Sequence, residues 1–459
     1  MTAELHVVVL AAGEGRRMNS ERPKVLQPLG GAPMLGHVLA AVDPLDPAAV
    51  HVVIGAGAEA VRAAFAGDAT ERCWVEQRER LGTGHAVEQA LPGIPRGARV
   101  LVLPGDMPLV RSDTLRPLID STVPLALLSF RAEDPTGYGR ILRDEAGRAI
   151  GIREERDADA AERAIRECNS GVLIAERDRL ADWLGRIGND NAQGEFYLTD
   201  CIALAAADGC AVEAIVCADP DDVRGANDRA QLADLERVLQ QRRRAALMAA
   251  GVSLPAPETV QLRGSVDAGR DVRIDAGAIL EGDNRLGDGV EIGVGCVLRD
   301  CRLAAGTRVE PYSVLEGAET AGACTIGPFA RLRPGTVLAA GVKIGNFVET
   351  KNARFAEAAK ASHLSYVGDA EIGPGANLGA GTITCNYDGA NKHRTVIGAE
   401  AFIGSNSALV APVTIGDRAT IGAGSVISSD APADALTVAR ARARSVSDWR
   451  RPTRKTGDS

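Results

Sequence analysis

Residues 397–427 read IGAEAFIGSNSALVAPVTIGDRATIGAGSVI, and this stretch decides the fold of the second half of the chain. An aliphatic residue recurs at every sixth position: Ile397, Ile403, Leu409, Ile415, Ile421 and Ile427. A period of six fits neither an α-helix nor a strand with one buried face. It is typical of a solenoid in which each short strand points an aliphatic side chain inward and a small residue turns the corner. We therefore predict a parallel β-helix of hexapeptide repeats.

The same period extends towards the middle of the chain. Further matches, six residues apart, are Leu280, Leu286, Ile292 and Leu298, and then Ile326, Leu332, Leu338 and Ile344. The phase breaks at 350–366 and at 384–395, which we expect to be inserted loops. Insertions project from a solenoid and are common places for binding and catalysis. The repeat ends after Ile427, and residues 440–459 carry a net charge of +5.

The first half of the chain has a different pattern. Residues 5–12 form a continuous apolar run that ends in glycine, and similar runs occupy 50–54, 100–103, 125–130 and 212–217. Such runs are typical of strands buried on both faces of a parallel sheet. Stretches with helical spacing, such as 34–42 and 58–65, lie between them. This alternation predicts a Rossmann-like α/β domain with a mostly parallel sheet.

A helix is predicted between the two halves. Residues 227–250 contain no proline or glycine, and Leu232, Leu235 and Val238 fall on one helical face. Gly251 and the two prolines that follow it end the helix. We predict an α/β domain over 1–228, a helical linker over 229–250 and a hexapeptide-repeat domain with a basic tail over 251–459.

Composition excludes several classes of protein. The 459 residues have a net charge of −9, which argues against a nucleic-acid-binding protein. Nine cysteines without a CxxC pair favour neither a disulfide framework nor a thiolate zinc site. No apolar run approaches the roughly 20 residues of a membrane helix, and the first residues do not resemble a signal peptide. We expect a cytoplasmic protein that does not bind membranes.

The first candidate site begins with the sequence LAAGEGRRM at residues 10–18, directly after a predicted strand. Glycines allow the backbone to approach phosphates closely, and Arg17 and Lys24 add positive charge. Met18 stands where a dinucleotide fingerprint requires its last glycine, and no P-loop GK[ST] occurs. Taken alone, the two glycines fit a plain turn equally well. Together with Pro23-Lys24 they resemble the signature of sugar-1-phosphate nucleotidyltransferases.

Further residues complete this site. Gln77, Gly82 and Thr83 follow a short predicted strand and suit the recognition of a base edge. Gly105-Asp106 comes at the carboxyl end of the strand over 100–103, where α/β sheets bind ligands. Asp106 and Asn227 form a modest oxygen set that suits Mg²⁺. Taken alone, Asp106 fits a turn or a helix cap at least as well.

The chain as a whole resembles the bacterial family of bifunctional N-acetylglucosamine-1-phosphate uridyltransferases and glucosamine-1-phosphate acetyltransferases. The resemblance implies a nucleotidyltransferase domain followed by a left-handed parallel β-helix. It implies one Mg²⁺ on Asp106 and Asn227, with Arg17 and Lys24 as catalytic cations that offset the charge of UTP. The residues implied to hold the nucleotide and UDP-N-acetylglucosamine are Leu10, Ala11, Ala12, Gly13, Lys24, Gln77, Gly82, Thr83, Gly105, Asp106, Gly139, Glu154, Asn169 and Asn227.

Two residues depart from the pattern of this family. Arg16 stands where relatives usually have threonine. Pro104 stands where relatives often have a polar or aromatic residue, and it has no N–H to donate. A contact of this position with the nucleotide sugar is therefore in question.

The second candidate site lies in the solenoid. The irregular segments carry cations, a histidine and several amide and phenol groups, which indicates a site for a phosphorylated substrate. His363 falls in the stretch over 350–366, where we expect no core position for it, and neutral imidazole suits proton removal from an attacking amine. A single histidine is otherwise more often structural than catalytic.

The family resemblance assigns roles at this second site. His363 is the implied base, and Asn386 orients it or supports the oxyanion. The implied ligands of glucosamine-1-phosphate are Arg333, Lys351, Tyr366, Asn377 and Lys392. The implied acetyl-CoA contacts are Ala380, Asn386, Tyr387, Ser405, Ala423 and Arg440. The tail beyond Arg440 either meets the phosphates of CoA or is a solvated end.

The function that follows from the resemblance has two steps. The solenoid acetylates glucosamine-1-phosphate from acetyl-CoA, and the α/β domain then transfers UMP from UTP to N-acetylglucosamine-1-phosphate and releases pyrophosphate. The resemblance also implies a homotrimer, with small molecules as the other partners. The alternative is a monofunctional nucleotidyltransferase whose solenoid is only a trimerisation scaffold. A zinc enzyme similar to hexapeptide carbonic anhydrases needs three histidines, whereas only His363 and His393 lie in this half.

Overall fold

The computed structural model describes residues 3–55, 57–68 and 70–452, so the last residues of the predicted basic tail, 453–459, lie outside it. The chain divides into two units, Met1–Arg243 and Arg244–Ser459. This division falls within a helix that the sequence places in the linker, and the three-part domain division stays a prediction. None of the helices in the described residues is long and apolar enough to cross a membrane.

The first unit contains eleven strands among its described residues, and all the strands predicted there are present. They are β1 Leu5–Ala11, β2 Pro28–Leu29, β3 Ala32–Pro33, β4 Ala49–Ile54, β5 Cys73–Glu76, β6 Arg99–Pro104, β7 Leu125–Arg131, β8 Arg140–Arg143, β9 Ala149–Arg153, β10 Glu167–Glu176 and β11 Val212–Val216. The central sheet has the order β11-β7-β10-β6-β1-β4-β5, with β8 paired to β10 and β9 paired to β8. All neighbours along this order are parallel except those of β10, which runs antiparallel to β6 and β7.

Helices cover both faces of this sheet because its central strands are apolar on both sides. Val7, Val8 and Val9 of β1 are fully buried, and they divide between two core clusters. The helices are α1 Met34–Val42, α2 Ala58–Ala64, α3 Thr83–Ala90, α4 Ser112–Asp120, α5 Ala160–Arg163, α6 Arg177–Leu184, α7 Asp200–Ala207 and α8 Arg229–Ala249. The mostly parallel α/β fold predicted for the first half is confirmed.

Helix α8 corresponds to the helix predicted over 227–250. Its side chains Leu232, Leu235 and Val238 pack into a core cluster of the first unit together with Met18 and Met34. The predicted apolar face of the helix is therefore buried.

The second unit is a left-handed parallel β-helix built from short strands. These are β12 Gln261–Ala268, β13 Arg273–Ile274, β14 Ile279–Leu286, β15 Glu291–Ile292, β16 Val297–Arg299, β17 Arg302–Leu303, β18 Arg308–Val309, β19 Val314–Glu316, β20 Glu319–Thr320, β21 Thr325–Ile326, β22 Arg331–Leu332, β23 Val337–Leu338, β24 Lys343–Asn346, β25 Glu349–Phe355, β26 Lys360–His363, β27 Tyr366–Ile372, β28 Asn377–Leu378, β29 Ile383–Cys385, β30 Thr395–Ile397, β31 Phe402–Ile403, β32 Ala408–Val410, β33 Val413–Ile415, β34 Thr420–Ile421, β35 Val426–Ile427 and β36 Leu436–Thr437.

The predicted six-residue period forms the core of this solenoid. Ile397, Ile403, Leu409, Ile415 and Ile421 are almost completely buried. Each coil of three strands stacks in parallel on the next, so that inward residues of successive coils form columns.

The inserted loop expected over 350–366 is not present, and this prediction is wrong. Thr350 pairs with Leu332 and Val367, and Ala361 pairs with Ile344 and Leu378, so the segment is a regular coil. Thr350 and Ala361 are both fully buried in inward positions. The pattern was hidden because a small or polar residue replaces the aliphatic one, and because this coil is slightly shorter than three full hexapeptides. His363 consequently lies at the end of strand β26 rather than in a loop.

The second expected insertion, over 384–395, is confirmed for residues 386–394, whereas Thr384 and Thr395 at its two ends belong to strands β29 and β30. Leu378 pairs with Ala361 on the preceding coil and with Ile403 on the following one, and Ile403 pairs in turn with Ile421. The stretch of chain from Leu378 to Ile403 is therefore longer than the coils on either side of it. The extra residues follow strand β29, and Tyr387 and Lys392 form an isolated antiparallel bridge across them. A short exposed hairpin therefore projects from the solenoid at this point.

Candidate active sites

The first site forms where strands β1 and β6 end side by side. Leu10 pairs with Pro104, and the Gly105 N–H donates to the Leu10 carbonyl at 2.8 Å. The glycine loop after β1 and Asp106 after β6 therefore leave the same edge of the sheet. This is the edge at which parallel α/β sheets bind their ligands.

The glycine loop leaves room for the Lys24 side chain at this edge of the sheet. Gly15 has φ of +64°, and a Cβ at this position would lie 2.5 Å from the Lys24 Cβ. A side chain at residue 15 would thus displace Lys24. The Lys24 ammonium contacts the Asp106 carboxylate and donates to the Asn227 side-chain carbonyl at 2.8 Å. The structure therefore brings three of the predicted residues together.

The donor set fits the predicted magnesium ion. Asp106 and Asn227 each direct an oxygen at one small cation, which in this structure is the Lys24 ammonium. Two protein oxygens suit Mg²⁺, since this ion keeps several waters and takes further oxygens from substrate phosphates. The described residues contain no cluster of three or more histidine, cysteine or acidic side chains that could hold a metal. Arg17 is exposed on the short helical turn beyond the glycine loop.

A second loop is held in shape by Gln77. The Gln77 amide donates to the Gly82 carbonyl at 3.0 Å. Gly82 has φ of +114°, and a Cβ there would lie 2.5 Å from the Phe196 carbonyl oxygen. The Leu198 N–H donates to the Thr83 hydroxyl at 3.1 Å. The buried Gln77 side chain thus ties this loop to the start of helix α3.

A cavity of about 250 Å³ lies beside these loops. Its lining includes five of the residues predicted to bind the nucleotide sugar, Leu10, Thr83, Gly139, Glu154 and Asn169, together with Pro104 and Thr199. Pro104 packs against Gly171, where an added Cβ would lie 3.1 Å from its ring. This position of the family pattern is therefore an apolar wall of the cavity.

Glu154 is the acidic side chain in the lining of this cavity. Burial raises the pKa of its carboxyl, and the neighbouring Asp200 and Asp157 act in the same direction. The Thr199 hydroxyl donates to one carboxylate oxygen at 3.1 Å and partly offsets this effect. A second oxygen remains for a ligand hydroxyl.

Glu14 connects the two loops of the first site. Its carboxylate contacts Arg16 on its own loop and Arg80 on the loop after Gln77. These two guanidinium groups lower the pKa of the Glu14 carboxyl, the larger effect coming from Arg16. Arg16, the second departure from the family pattern, is thus engaged with Glu14.

The second site contains a cluster of cations. Lys351 lies beside Lys392, and this neighbouring ammonium, with a smaller effect from Arg333, lowers the pKa of Lys351. Arg333 donates to Glu349 at 2.9 Å. Two ammonium groups side by side repel each other, and the Asp369 carboxylate offsets only part of this effect on Lys351. The cluster is therefore suited to a phosphate.

A buried carboxylate lies next to this cluster. Asp369 accepts from the Asn352 amide at 2.6 Å and also accepts from the Asn386 amide. Burial acts to raise the pKa of Asp369, but the two amides, with Lys392 and Lys351, hold it below the ordinary value. Asn352, Asp369 and Asn386 are equally spaced along the chain. The Asp369 carboxylate thereby fixes the orientation of the Asn386 side-chain amide.

His363 has a hydrogen-bond partner on the preceding coil. Its Nδ1 lies 2.7 Å from the Asn346 Oδ1, and the two residues are paired in the sheet. Since a carbonyl oxygen only accepts, Nδ1 carries the proton and Nε2 has the free lone pair. The orienting partner of His363 is therefore Asn346, while Asn386 donates to Asp369.

Three of the predicted acetyl-CoA residues lie on successive coils. The Asn406 N–H donates to the Ala380 carbonyl at 2.7 Å, and the Gly424 N–H donates to the Ser405 carbonyl at 2.8 Å. The Arg440 guanidinium in turn donates to the carbonyl of Ala423. Small side chains thus form a column that continues to Arg440.

The remaining predicted residues are more dispersed. Tyr366 pairs with Glu349, next to the cation cluster, whereas Asn377 lies on another sheet beside Lys360. Tyr387 is exposed on the projecting hairpin. The residues that the sequence analysis missed are Glu14, Thr199, Asn346, Glu349 and Asp369. The sequence does contain one indication of the role of Asp369: this residue lies midway between Asn352 and Asn386, one coil from each.

Comparisons with known proteins cover both halves of the chain. The family model of the MobA-like NTP transferase domain matches residues 7–167, and the model of the bacterial transferase hexapeptide (six repeats) matches residues 394–429. Proteins named "Bifunctional protein GlmU" are similar along nearly their whole length. That of Alkalilimnicola ehrlichii is 58% identical over 98% of this chain and 97% of the relative. That of Xanthomonas axonopodis pv. citri is 57% identical over 99% and 100%, and that of Stutzerimonas stutzeri 54% over 98% and 100%.

Proposed function

This chain belongs to the family of bifunctional GlmU proteins, and we propose how its two sites divide the two activities of that family. The protein is a uridyltransferase and a glucosamine-1-phosphate acetyltransferase, which together make UDP-N-acetylglucosamine. The uridyl transfer belongs to the site at the ends of β1 and β6. The acetyl transfer belongs to the solenoid site of Lys351, Lys392 and His363.

In the first site, the phosphate of N-acetylglucosamine-1-phosphate attacks the α-phosphorus of UTP, and pyrophosphate leaves. The nucleophile is already an anion and needs no base, so positioning and charge neutralisation carry the catalysis. The loop of Gln77, Gly82 and Thr83 lies where it can bind the uracil, and the cavity of Glu154 and Asn169 is large enough for the sugar. Arg17 and Lys24 face the triphosphate.

Magnesium is the cofactor that we assign to this site, one ion for each α/β unit. Asp106 and Asn227 would hold it, and it would supply charge stabilisation for the phosphate oxygens. The convergence of both side-chain oxygens on the Lys24 ammonium supports this assignment. The protein residues orient the two substrates around it.

The observation that carries the acetyltransferase assignment is the pair Lys351 and Lys392. Two ammonium groups beside each other, with Arg333 near them, form an anion site on a solenoid that a scaffold has no need for. The phosphate of glucosamine-1-phosphate provides the anion. Tyr366 and Asn377 shape the sugar pocket.

Acetyl transfer follows from the orientation of His363. Its Nε2 removes the proton as the substrate amine attacks the thioester carbonyl, and the CoA thiolate leaves and takes up a proton. Acetyl-CoA lies along the column of Ala380, Ser405 and Ala423, where small side chains leave room for the pantetheine arm. Arg440 meets its phosphates, and Asn386 and Tyr387 contact its thioester end.

A homotrimer in the cytoplasm is the proposed assembly. Tyr312, Phe329 and Phe347 stack on successive coils with ring centroids 5.4 Å apart, and about half of each side chain is exposed. All three have positive φ, which bulky residues rarely adopt. A parallel copy of the same solenoid repeats at the same spacing and can cover this row, which supports assembly through the β-helix.

Release of the CoA thiol from acetyl-CoA tests the solenoid half. We expect thiol release that depends on glucosamine-1-phosphate. Lys392→Gln should raise the KM for that substrate at least about tenfold by removing a charged hydrogen bond to phosphate, and should leave the KM for acetyl-CoA unchanged. Lys343→Gln, which removes an exposed lysine of β24, is the matched control.

The contrary result is equally clear. If the folded protein releases no thiol with glucosamine-1-phosphate present, the solenoid is a scaffold and the chain is a nucleotidyltransferase alone. If Lys392→Gln and Lys343→Gln behave alike, the lysine pair is not the phosphate site.

A further inference from the structure

The Lys24 side chain is closely packed within the first site. Only 11% of its side chain is exposed, although the surrounding loops are open to solvent. It lies on a short helical turn, Lys24–Leu26, and its Cβ fills the space left by Gly15. In this structure the ammonium group therefore occupies one well-defined position.

That place is defined by the two proposed metal ligands. The ammonium contacts the Asp106 carboxylate and donates to the Asn227 Oδ1 at 2.8 Å, so it uses the same oxygens that would bind Mg²⁺. An ammonium ion and a divalent cation cannot both occupy this position, because their charges repel strongly at such short distances. Binding of the metal thus requires Lys24 to leave.

We infer that Lys24 is a positioning residue that exchanges places with the metal ion: it neutralises Asp106 in the free site and moves to the UTP phosphates when the metal enters. The inference rests on the metal site assigned under the proposed function. It adds that Lys24 competes with the metal ion for Asp106 and Asn227 when no nucleotide is present. When UTP is present, Lys24 instead favours metal binding, because it then binds the phosphates.

The exchange has a consequence for the order of binding. Metal without nucleotide must displace Lys24 into water and gains no compensating contact for it. Metal that arrives with UTP provides the phosphates that Lys24 then binds. The two ligands should therefore bind with positive coupling, and Lys24 should be the residue that carries it.

Binding of Mn²⁺ to the full-length protein, followed by the loss of the free-ion EPR signal, tests this inference. In the absence of nucleotide, Lys24→Met should bind Mn²⁺ at least about tenfold more tightly than the wild type, since a competing positive charge is removed. Lys24→Arg keeps the charge and should show no such gain. Arg22→Met removes an exposed cation two residues before Lys24 that has no assigned role in the site, and it should change the affinity less than about twofold.

A non-hydrolysable UTP analogue completes the experiment. It should increase the Mn²⁺ affinity of the wild type by a larger factor than that of Lys24→Met. If Lys24→Met and Lys24→Ala bind Mn²⁺ no more tightly than the wild type while Asp106→Asn loses binding, the exchange is refuted and the metal site stands. If Asp106→Asn binds Mn²⁺ like the wild type, the metal assignment itself is refuted, and the exchange with it.

Discussion

The His363 imidazole donates its Nδ1 proton to the Asn346 side-chain carbonyl, 2.7 Å away on the preceding coil of the β-helix. This bond selects the tautomer in which Nε2 has the free lone pair. Asn346, one coil earlier, therefore fixes the tautomer of the proposed base. The regular stacking of the solenoid places the two side chains next to each other.

Removal of this bond should impair acetyl transfer selectively. We expect Asn346→Ala to lower kcat for acetyl transfer roughly tenfold, a part of the about 10²–10⁴-fold that a positioned base contributes, and to leave uridyl transfer unchanged. Asn346→Asp places a carboxylate beside the ring and favours the protonated imidazole. The acid limb of its pH–rate profile should move about one unit to higher pH. Profiles identical to that of the wild type would contradict the assigned tautomer.

The Glu154 carboxylate should decrease the stability of the free protein and increase its affinity for N-acetylglucosamine-1-phosphate. Because burial raises its pKa, the ionised carboxylate destabilises the free protein at neutral pH, and this cost disappears as the pH falls through the raised pKa. Glu154→Gln should therefore raise Tm by about 1–2 °C at pH 7.5, with a smaller gain at pH 5. The KM for N-acetylglucosamine-1-phosphate should rise roughly tenfold through the lost charged hydrogen bond.

The control for this prediction is Glu145→Gln, at an exposed position of the same unit. It should alter neither Tm nor KM. A Glu154→Gln variant that is less stable than the wild type at pH 7.5 would show that the ionised carboxylate does not destabilise the folded protein.

The buried pair His6 and His51 should make the first unit sensitive to acid. The His6 Nδ1 lies 3.2 Å from the His51 Nε2, and burial together with His6 lowers the pKa of His51 to about 4. Glu4, 3.9 Å from His6, acts in the opposite direction on that ring, but burial dominates and lowers its pKa as well. A lowered histidine pKa stabilises the protein above the ordinary value of 6.5, and this stability is lost as the pH falls towards about 4.

Urea unfolding followed by tryptophan fluorescence tests this expectation, because Trp74 and Trp183 lie in the first unit. Between pH 7.5 and 5, the unfolding midpoint of the wild type should fall further than that of His51→Asn. His393→Asn, in the second unit, should leave the pH dependence unchanged. Equal pH dependence in the wild type and His51→Asn would mean that the buried pair does not control acid stability.

The sequence was sufficient for the fold wherever the periodic signal is strong. The valines of β1 and the six-residue repeat from Ile397 to Ile427 are buried as predicted. The prediction failed at 350–366 because Thr350 and Ala361 fill inward positions without an aliphatic side chain. A hydrophobic pattern cannot reveal a buried position that is occupied by a small or hydroxyl-bearing residue.

The candidate sites were predictable to a different degree. The motif residues Lys24, Asp106 and Asn227 meet, and Asp106 lies just beyond the carboxyl end of β6, as the sequence predicts. Residues that act through others, such as Asn346 and Asp369, were not identified. Their partners come from the register of stacked coils, which depends on the length of each coil, and a local motif does not contain that information.

Measurement of both activities in two single variants tests the central claim most directly. Asp106→Ala should abolish uridyl transfer and retain acetyl transfer, because it removes a proposed metal ligand in the first unit. His363→Ala should abolish acetyl transfer and retain uridyl transfer, because it removes the proposed base in the second. Loss of both activities in either folded variant, or loss of the wrong one, would contradict the assignment of two separate sites.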